Sequence, residues 1–199
     1  MYKSFFKRLF DICGSLLAIP FVVIIGLFVG LAIYWEDKGD VFYLASRRGR
    51  YGKIFKMFKF RSMKMNAPDI RNSDNSTYNS PDDPRVTKVG KFIRRTSIDE
   101  LPQFFNVLIG DMSFIGPRPV TIDRSFEEYD EKRKIRLDVR PRITGYSQAY
   151  FRNSISNEKK LEKDAFYARN VSFWGDLKII LATINTVIFR RNIYNKKNQ

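Results

Sequence analysis

Two adjacent carboxylates, Asp99 and Glu100, are the residues whose types and setting point most directly to chemistry. They sit in Ser97-Ile98-Asp99-Glu100-Leu101-Pro102-Gln103, and Gly110-Asp111-Met112-Ser113-Phe114-Ile115-Gly116-Pro117-Arg118-Pro119 follows shortly. Arg94 and Arg95 stand just before the pair, and Arg118 lies between two prolines. The chain of 199 residues carries 36 Lys and Arg against 21 Asp and Glu, so this is an acidic pair in a basic setting. Positive surroundings keep carboxylates ionised and attract phosphate or a metal–phosphate complex. There is no histidine, which removes the commonest general base and zinc ligand. Acid–base or nucleophilic work falls to Asp, Glu, Lys, Tyr, Ser or Cys13. A carboxylate nucleophile forms an acyl phosphate and splits one phosphoryl transfer into two. Mg²⁺ held by one or two carboxylates and substrate phosphates would screen the charge that opposes an anionic attacker. Arginine adds planar, bidentate phosphate contacts, and Arg94, Arg95, Arg118, Arg140, Arg142 and Arg152 are available. The pair reads as a carboxylate nucleophile and its neighbour, placed where a nucleotide diphosphate docks.

That reading constrains the backbone. Sequence neighbours in a helix do not face the same way, so both carboxylates serve one site only where the chain changes course. Ser97-x-x-Glu100 also matches a capping box, in which Glu100 would merely cap its own helix. Pro102 weakens that version, because proline is comfortable only in the first turn. The helix is expected to start at or after Asp99, with Leu101 to Leu108 as its body. Upstream, Val86, Val89 and Ile93 alternate with Lys88, Lys91, Arg94 and Arg95 at the spacing of an amphipathic helix. Downstream, Pro117 and Pro119 fix their own φ and bias Arg118 to an extended conformation, which aims its side chain.

The N-terminus supplies a different element. Residues 12 to 34 form an uncharged run of 23 residues, enough to cross a bilayer as a helix. Both flanks are basic: Lys3, Lys7 and Arg8 on one side, Lys38, Arg47, Arg48 and Arg50 on the other. The positive-inside rule then gives no orientation and is equally met if both ends stay on one side. Pro20, nine residues in, should kink the helix. A kinked helix that dips in and returns would put both flanks at one headgroup layer. Asp11 follows Lys7 by four residues and Arg8 by three, close enough to pair on a helix face.

Between these elements, Val41 to Leu44 is β-prone, and Arg47 to Gly52 is a basic turn-rich segment. Phe58 and Phe60 alternate with Lys59 and Arg61, which suggests a strand with one basic face and a hairpin over 41–61. Residues 65–84 read as a polar, mobile loop. Ser125 to Leu137 reads as a charged, solvated helix, Arg140 to Gly145 as a basic turn, and Asn157 to Arg169 as a helix carrying Asp164. Phe173 to Arg191 places Phe173, Leu177, Ile180, Ile184 and Ile188 on one face, with Asp176, Lys178 and Asn185 off it; it could lie on a membrane. The tail from Asn192 is polar and basic.

The net charge of +15 calls for an anionic partner: nucleic acid, a phosphorylated substrate or a membrane surface. One cysteine, Cys13, excludes a disulfide framework within the chain. The fold class expected is α+β and predominantly helical. It comprises an N-terminal re-entrant membrane helix over 1–36, then a compact cytosolic-face catalytic domain over 37–199 with a small β-hairpin and amphipathic interfacial helices. A rival from another class is a non-catalytic, membrane-anchored basic module that binds nucleic acid or anionic lipid. It accounts for the charge and the apolar run, but not for Asp99-Glu100 or Pro117-Arg118-Pro119.

Taken in order, Lys7-Arg8-x-x-Asp11, Arg48-Gly49-x-x-Gly52-Lys53-x-Phe55, Lys59-Phe60-Arg61-Ser62-Met63, Ser97 to Gln103, Asn106-Val107-Leu108, Gly110-Asp111-Met112-Ser113 and Gly116-Pro117-Arg118-Pro119 resemble the bacterial sugar transferases. These are the monotopic polyprenyl-phosphate phosphoglycosyl transferases, and the resemblance covers nearly the whole chain. It implies transfer of a phosphosugar from a UDP-sugar to a polyprenyl phosphate, usually undecaprenyl phosphate, with release of UMP. It implies Asp99 as nucleophile of a covalent phosphosugar intermediate and Glu100 as a Mg²⁺ ligand beside it. Lys59, Arg118, Arg152 and Asp164 would belong to the active site or its support, and Arg94 is a further phosphate-binding candidate. The helix marked by Lys7, Arg8, Asp11 and Pro20 would be re-entrant, with the site at the cytoplasmic face of the bacterial inner membrane. Membrane lipids are the expected surroundings, and no nucleic-acid partner is expected.

The chain also departs from the family pattern. Ile19-Pro20 stands where the family has Ser-Pro, so the hydroxyl that helps satisfy freed backbone is absent. Arg140-Pro141-Arg142-Ile143-Thr144-Gly145-Tyr146 carries Arg142 in place of a turn glycine and Tyr146 in place of tryptophan, and Phe151-Arg152-Asn153 replaces Gly-Arg-Asn. These changes lie where substrate is expected, so no sugar specificity carries over from a relative.

Overall fold

The structure, a computed structural model, describes residues 1–70, 78, 80, 82–151 and 154–188. Residues 71–77, 79 and 81 of the loop expected over 65–84, together with Arg152, Asn153 and the basic tail, lie outside the described residues. The chain divides into two compact units, each built from separate stretches: Met1–Leu17, Ser46–Met57 and Phe105–Gln199 in one, Ala18–Ala45 and Phe58–Phe104 in the other.

Helix α1 runs over Lys7–Asp37, preceded by a short π-helical turn, Tyr2–Phe6. At 1.5 Å per residue it is about 46 Å long. The chain stays helical through Pro20. The helix and its leading turn have a window of mean hydropathy 2.9 and are long and apolar enough to cross a membrane by length and composition. Leu17, Phe21, Leu27, Phe28 and Trp35 are among its exposed side chains.

In the first unit, strand β3 (Ser113–Ile115) pairs in parallel with β4 (Arg142–Thr144), Ser113 opposite Arg142 and Ile115 opposite Thr144. The segment expected as a basic turn is therefore partly a strand. Two glycines permit the close approach. A Cβ on Gly145 would lie 2.0 Å from the Gly116 carbonyl oxygen, and one on Gly116 would lie 2.3 Å from that of Arg140. Around this pair lie α3 (Gln103–Ile109, shared between the units), α4 (Glu131–Arg136), α5 (Tyr146–Tyr150), α6 (Asn157–Arg169) and α7 (Phe173–Ile188). Ile115, Val139, Ala149, Tyr167, Ala168 and Ile179 form the buried core. Helix α4 is shorter than the charged helix expected over 125–137. It starts where Asp130 accepts from the Arg133 N–H, a side-chain cap that fixes the first turn. Helix α6 spans the residues that sequence reading gave it.

The polar residues before the apolar run do not pair with one another, as their spacing suggested. Lys7 pairs with Asp176 at 2.7 Å. Arg8 donates to the carbonyls of Val107 and Leu108 at the end of α3. Asp11 accepts from Ser113 Oγ and the Phe114 N–H, both at 3.0 Å. Helix α7 has the exposed apolar stripe that its spacing suggests, with a charge turned inward that the spacing did not show. Asp176, placed off the apolar face by sequence, is buried beside Ile179, whereas Phe173, Trp174, Ile180, Leu181 and Ile184 are exposed. An ion pair and two tyrosine hydroxyls hold Asp176 inside, so the helix turns its apolar stripe outward.

The hairpin joins β1 (Phe42–Arg48) to β2 (Ile54–Phe60). Gly49 N–H to Lys53 O closes its turn and Arg61 N–H to Val41 O its open end, as an antiparallel pair requires. In the second unit Ile33 of α1, Phe60 of β2 and Ile93 of α2 (Lys88–Thr96) form one buried cluster, with Val29, Val41, Ile98 and Leu101 packed against it.

Candidate active site

Asp99 owes its position to a left-handed residue. Ser97 ends α2 with φ 59° and its N–H bonded to the Arg94 carbonyl, as a C-cap does. A 3₁₀ turn over Ile98–Glu100 follows, and α3 begins at Gln103, directly after Pro102. The chain thus changes course at the carboxylate pair. Ser97 makes no side-chain cap to this turn, and Glu100 pairs with Lys59 instead. The capping box is not what places Glu100.

Around Asp99 the second unit gathers Lys59, Arg94 and Glu100. Lys59 Nζ donates to Glu100 Oε1 at 2.9 Å. Arg94, in the last turn of α2, donates its Nε to Ser62 Oγ at 2.8 Å. Asp99 itself is buried, 9% exposed, and its carboxyl is pushed up to about 6. Burial is the main cause; the Glu100 charge adds to it, while Lys59 and Arg94 oppose it. The basic setting was expected to keep this carboxylate fully ionised, but desolvation outweighs the two cations. The result is a carboxyl that titrates just below neutrality, a perturbed group of the kind that marks a candidate functional site. Burial also holds the Arg94 guanidinium below its ordinary value, against the pull of Asp99.

The strand bearing Lys59 does not present a free basic face. Lys59 goes to Glu100, and Arg61, just past the strand, places both terminal nitrogens on the Asp37 carboxylate. Both cations are paired with carboxylates of their own unit. Arg95 is exposed.

Arg118 and Asp164 belong to the first unit. The Arg118 N–H donates to Asp164 Oδ2 at 3.2 Å, and Arg136 bridges the Arg118 carbonyl at 2.7 Å and the same carboxylate oxygen at 3.1 Å. Asp164 therefore holds the backbone of the Pro-Arg-Pro segment and leaves the Arg118 side chain exposed. Sequence reading missed Arg136 by assigning its helix to solvent. Its register on α4, one turn past the charged Lys132 and Arg133, gave no sign that it turns inward. Arg140 donates to the Gly110 carbonyl at 2.8 Å, and Arg142 is buried against Gln148. Arg152 lies outside the described residues.

Asp99 and Glu100 are the carboxylates available here to a divalent cation, and among the described residues no group of three or more Asp, Glu, His or Cys forms a metal cage. Such a site fits Mg²⁺, which binds through one or two carboxylates and completes its shell with water and substrate phosphate.

The family described as bacterial sugar transferase matches residues 2–190. A galactosyl transferase of Streptococcus agalactiae, CpsE, is 43% identical over 191 residues, covering 92% of this chain and 42% of its own length. The uncharacterized sugar transferase EpsL of Bacillus subtilis is 42% identical over 187 residues, covering 94% of this chain and 89% of its own. An undecaprenyl-phosphate galactose phosphotransferase of Salmonella typhimurium is 36% identical over 206 residues, covering 96% of this chain and 42% of its own. The chain thus spans under half the length of several relatives it matches.

Proposed function

From the premise that this chain belongs to the bacterial sugar transferase family, we propose that it transfers a phosphosugar from a UDP-sugar to undecaprenyl phosphate. The observation that carries the reading is the buried Asp99 carboxyl, pushed up to about 6, flanked by Lys59 and Arg94. Ionised Asp99 attacks the sugar-bearing phosphorus of the UDP-sugar. The bond from that phosphorus to the bridging oxygen breaks, and UMP leaves with the oxygen. A phosphate oxygen of the polyprenyl carrier then attacks the aspartyl phosphosugar, and Asp99 leaves as a carboxylate. Splitting the transfer into two displacements keeps each attack in line and needs no general base beyond the ionised nucleophiles.

Lys59 and Arg94 favour the ionised form of Asp99 and offer positive charge to the phosphoryl oxygens. Glu100, half-exposed beside it, would hold Mg²⁺ together with substrate phosphates, and the ion would supply charge neutralisation there. Arg118 of the first unit, fixed by its backbone to Asp164 and exposed at its side chain, offers a planar guanidinium suited to a bidentate phosphate contact. In this reading helix α1 would enter the bilayer as a re-entrant element and the exposed apolar stripe of α7 would lie in the interface, a topology suited to an enzyme that works at the cytoplasmic face, where the lipid phosphate resides.

The test is purified chain with a panel of UDP-sugars, Mg²⁺ and undecaprenyl phosphate. UMP release with one sugar is expected. Without lipid acceptor, intact mass should show a phosphosugar adduct that Asp99→Asn abolishes. No UMP release across the panel, or an adduct that survives the substitution, overturns the reading.

A further inference from the structure

Helix α2 carries Arg94, and its first turn is fastened from outside. A helix leaves its first four N–H groups without partners in its own ladder. Here all four are taken. Thr87 N–H goes to the Ser62 carbonyl at 3.2 Å and Gly90 N–H to Thr87 Oγ1 at 2.9 Å. Lys88 N–H and Val89 N–H go to the two carboxylate oxygens of Glu36, at 2.6 and 3.0 Å. Glu36 is the penultimate residue of α1, more than fifty positions away in sequence. A carboxylate so placed also meets the positive end of the α2 dipole.

The last residue of α1 grips the other side. Asp37 takes both terminal nitrogens of Arg61, and Arg61 also donates to the carbonyls of Asp40 and Met63. Arg61 stands two residues after Lys59. Ser62, next in the chain, meets both ends of α2: its carbonyl takes the Thr87 N–H, and its hydroxyl takes Arg94 Nε. The backbone there leaves no room for slippage, since a Cβ on Gly90 would lie 2.0 Å from the Ser62 oxygen. The two elements that bring cations to Asp99 are therefore each tied to the end of the apolar helix, one by Glu36 and one by Asp37.

We propose that Glu36 and Asp37 are positioning residues, which couple the end of the membrane helix to the placement of Arg94 and Lys59 around Asp99. Its catalytic meaning rests on Asp99 as the reacting carboxylate, but the coupling itself is a property of the fold. A shift of α1 in the bilayer then moves the two cations that flank Asp99.

The experiment has two readouts on the full chain in lipid nanodiscs. Amide hydrogen exchange needs no turnover, so failure of the coupling and failure of the enzymatic reading are separate results. Glu36→Ala should speed exchange over residues 94–100, and Asp37→Asn over residues 58–62, each by about tenfold. The second readout is single-turnover adduct formation from a UDP-sugar, in which the same variants should lower the saturating rate about tenfold with little change in the half-saturating concentration. Glu36→Gln keeps one acceptor oxygen and should show a smaller change in the same sense; it carries the test if the alanine variant does not fold. Thr87→Ala removes a cap of α2 without cutting its tie to α1, and should leave both readouts near those of the parent. Unchanged exchange in the Glu36 and Asp37 variants overturns the proposal. So does an equal change in Thr87→Ala, which would reduce Glu36 to an ordinary helix cap.

Discussion

Lys59 gives its ammonium to Glu100 at 2.9 Å, not to Asp99, which feels Lys59 only through space. The arrangement puts opposite influences on one carboxyl: Lys59 lowers its pKa and Glu100 raises it. Neutralising the two partners should therefore shift the same titration in opposite directions. Lys59→Met moves the Asp99 midpoint above about 6 and the acid limb of adduct formation to higher pH. Glu100→Gln moves both to lower pH while slowing the reaction, since it also removes a carboxylate proposed to hold Mg²⁺. Single-turnover adduct formation followed by intact mass from pH 5 to 8 reads both limbs. Shifts of the same sign in the two variants would contradict the geometry.

Asp99 also sets a cost in stability. Its carboxyl titrates near 6 in the folded chain, above its ordinary value of 3.8. The folded state thus binds a proton that the unfolded state has already lost. Stability falls as pH rises from about 4 to about 6 and stays lower above that range. Asp99→Asn removes the penalty. It should stabilise the chain at pH 7.5 by up to about 3 kcal/mol while abolishing the adduct, and lose most of that advantage below pH 4. Denaturant unfolding in detergent at the two pH values checks the sign. A variant less stable than the parent at pH 7.5 would mean that Asp99 is held by favourable charge.

Much of this frame was legible in the sequence because local signals agreed. Periodicity placed α6, alternating aromatics placed the hairpin, and Pro102 placed the start of α3 at or after Asp99. What failed had a common cause. Asp176, Arg136, Arg61 and the Lys7-Arg8-Asp11 group were assigned to solvent or to local pairing because their partners lie far away in sequence. Asp176 meets Tyr2 across 174 positions, and Asp11 meets Ser113 across 102. A charge reads as exposed until the fold supplies its counter-charge. The raised pKa of Asp99 escaped for the same reason, since charge composition is visible in a sequence and burial is not. Glu36, the cap of α2, carried no signal at all in its own surroundings.

Arg136 offers a clean case of such a hidden partner. Its guanidinium bridges Asp164 and the Arg118 carbonyl, with side-chain exposures of 14% and 3% across the ion pair. Arg136→Ala leaves Asp164 buried without its cation, at a cost of about 3 kcal/mol or more. Asp164→Asn is milder, because the amide oxygen still accepts from the Arg118 N–H. Both should raise KM for the UDP-sugar, the first more than the second, through loss of the frame that presents Arg118. Unfolding free energies and initial rates on both variants test the order. Equal destabilisation would show that the backbone contact, not the ion pair, holds the segment.

The N-terminal turn is held by Asp176, and the energetics there can be separated by a double substitution. Asp176 accepts from Lys7 Nζ at 2.7 Å and Tyr2 OH at 2.8 Å through one oxygen, and from Tyr167 OH at 2.7 Å through the other. The Tyr167 hydroxyl also reaches the Ile115 carbonyl at 3.2 Å, on a core strand. Both members of the ion pair are nearly buried, 11% and 4% exposed at the side chain. Asp176→Leu alone strands a buried ammonium and two hydroxyls, and should destabilise by about 3–5 kcal/mol. Lys7→Met alone leaves a carboxylate that keeps its two tyrosine donors, and should cost less. Replacing both removes the desolvated charges together, so the double variant should recover much of the loss seen in Asp176→Leu. The coupling, read from denaturant unfolding of the four proteins, is then favourable by about 1–3 kcal/mol. Strictly additive effects would mean that the ion pair contributes nothing to this junction and that the tyrosines alone hold Asp176 in place.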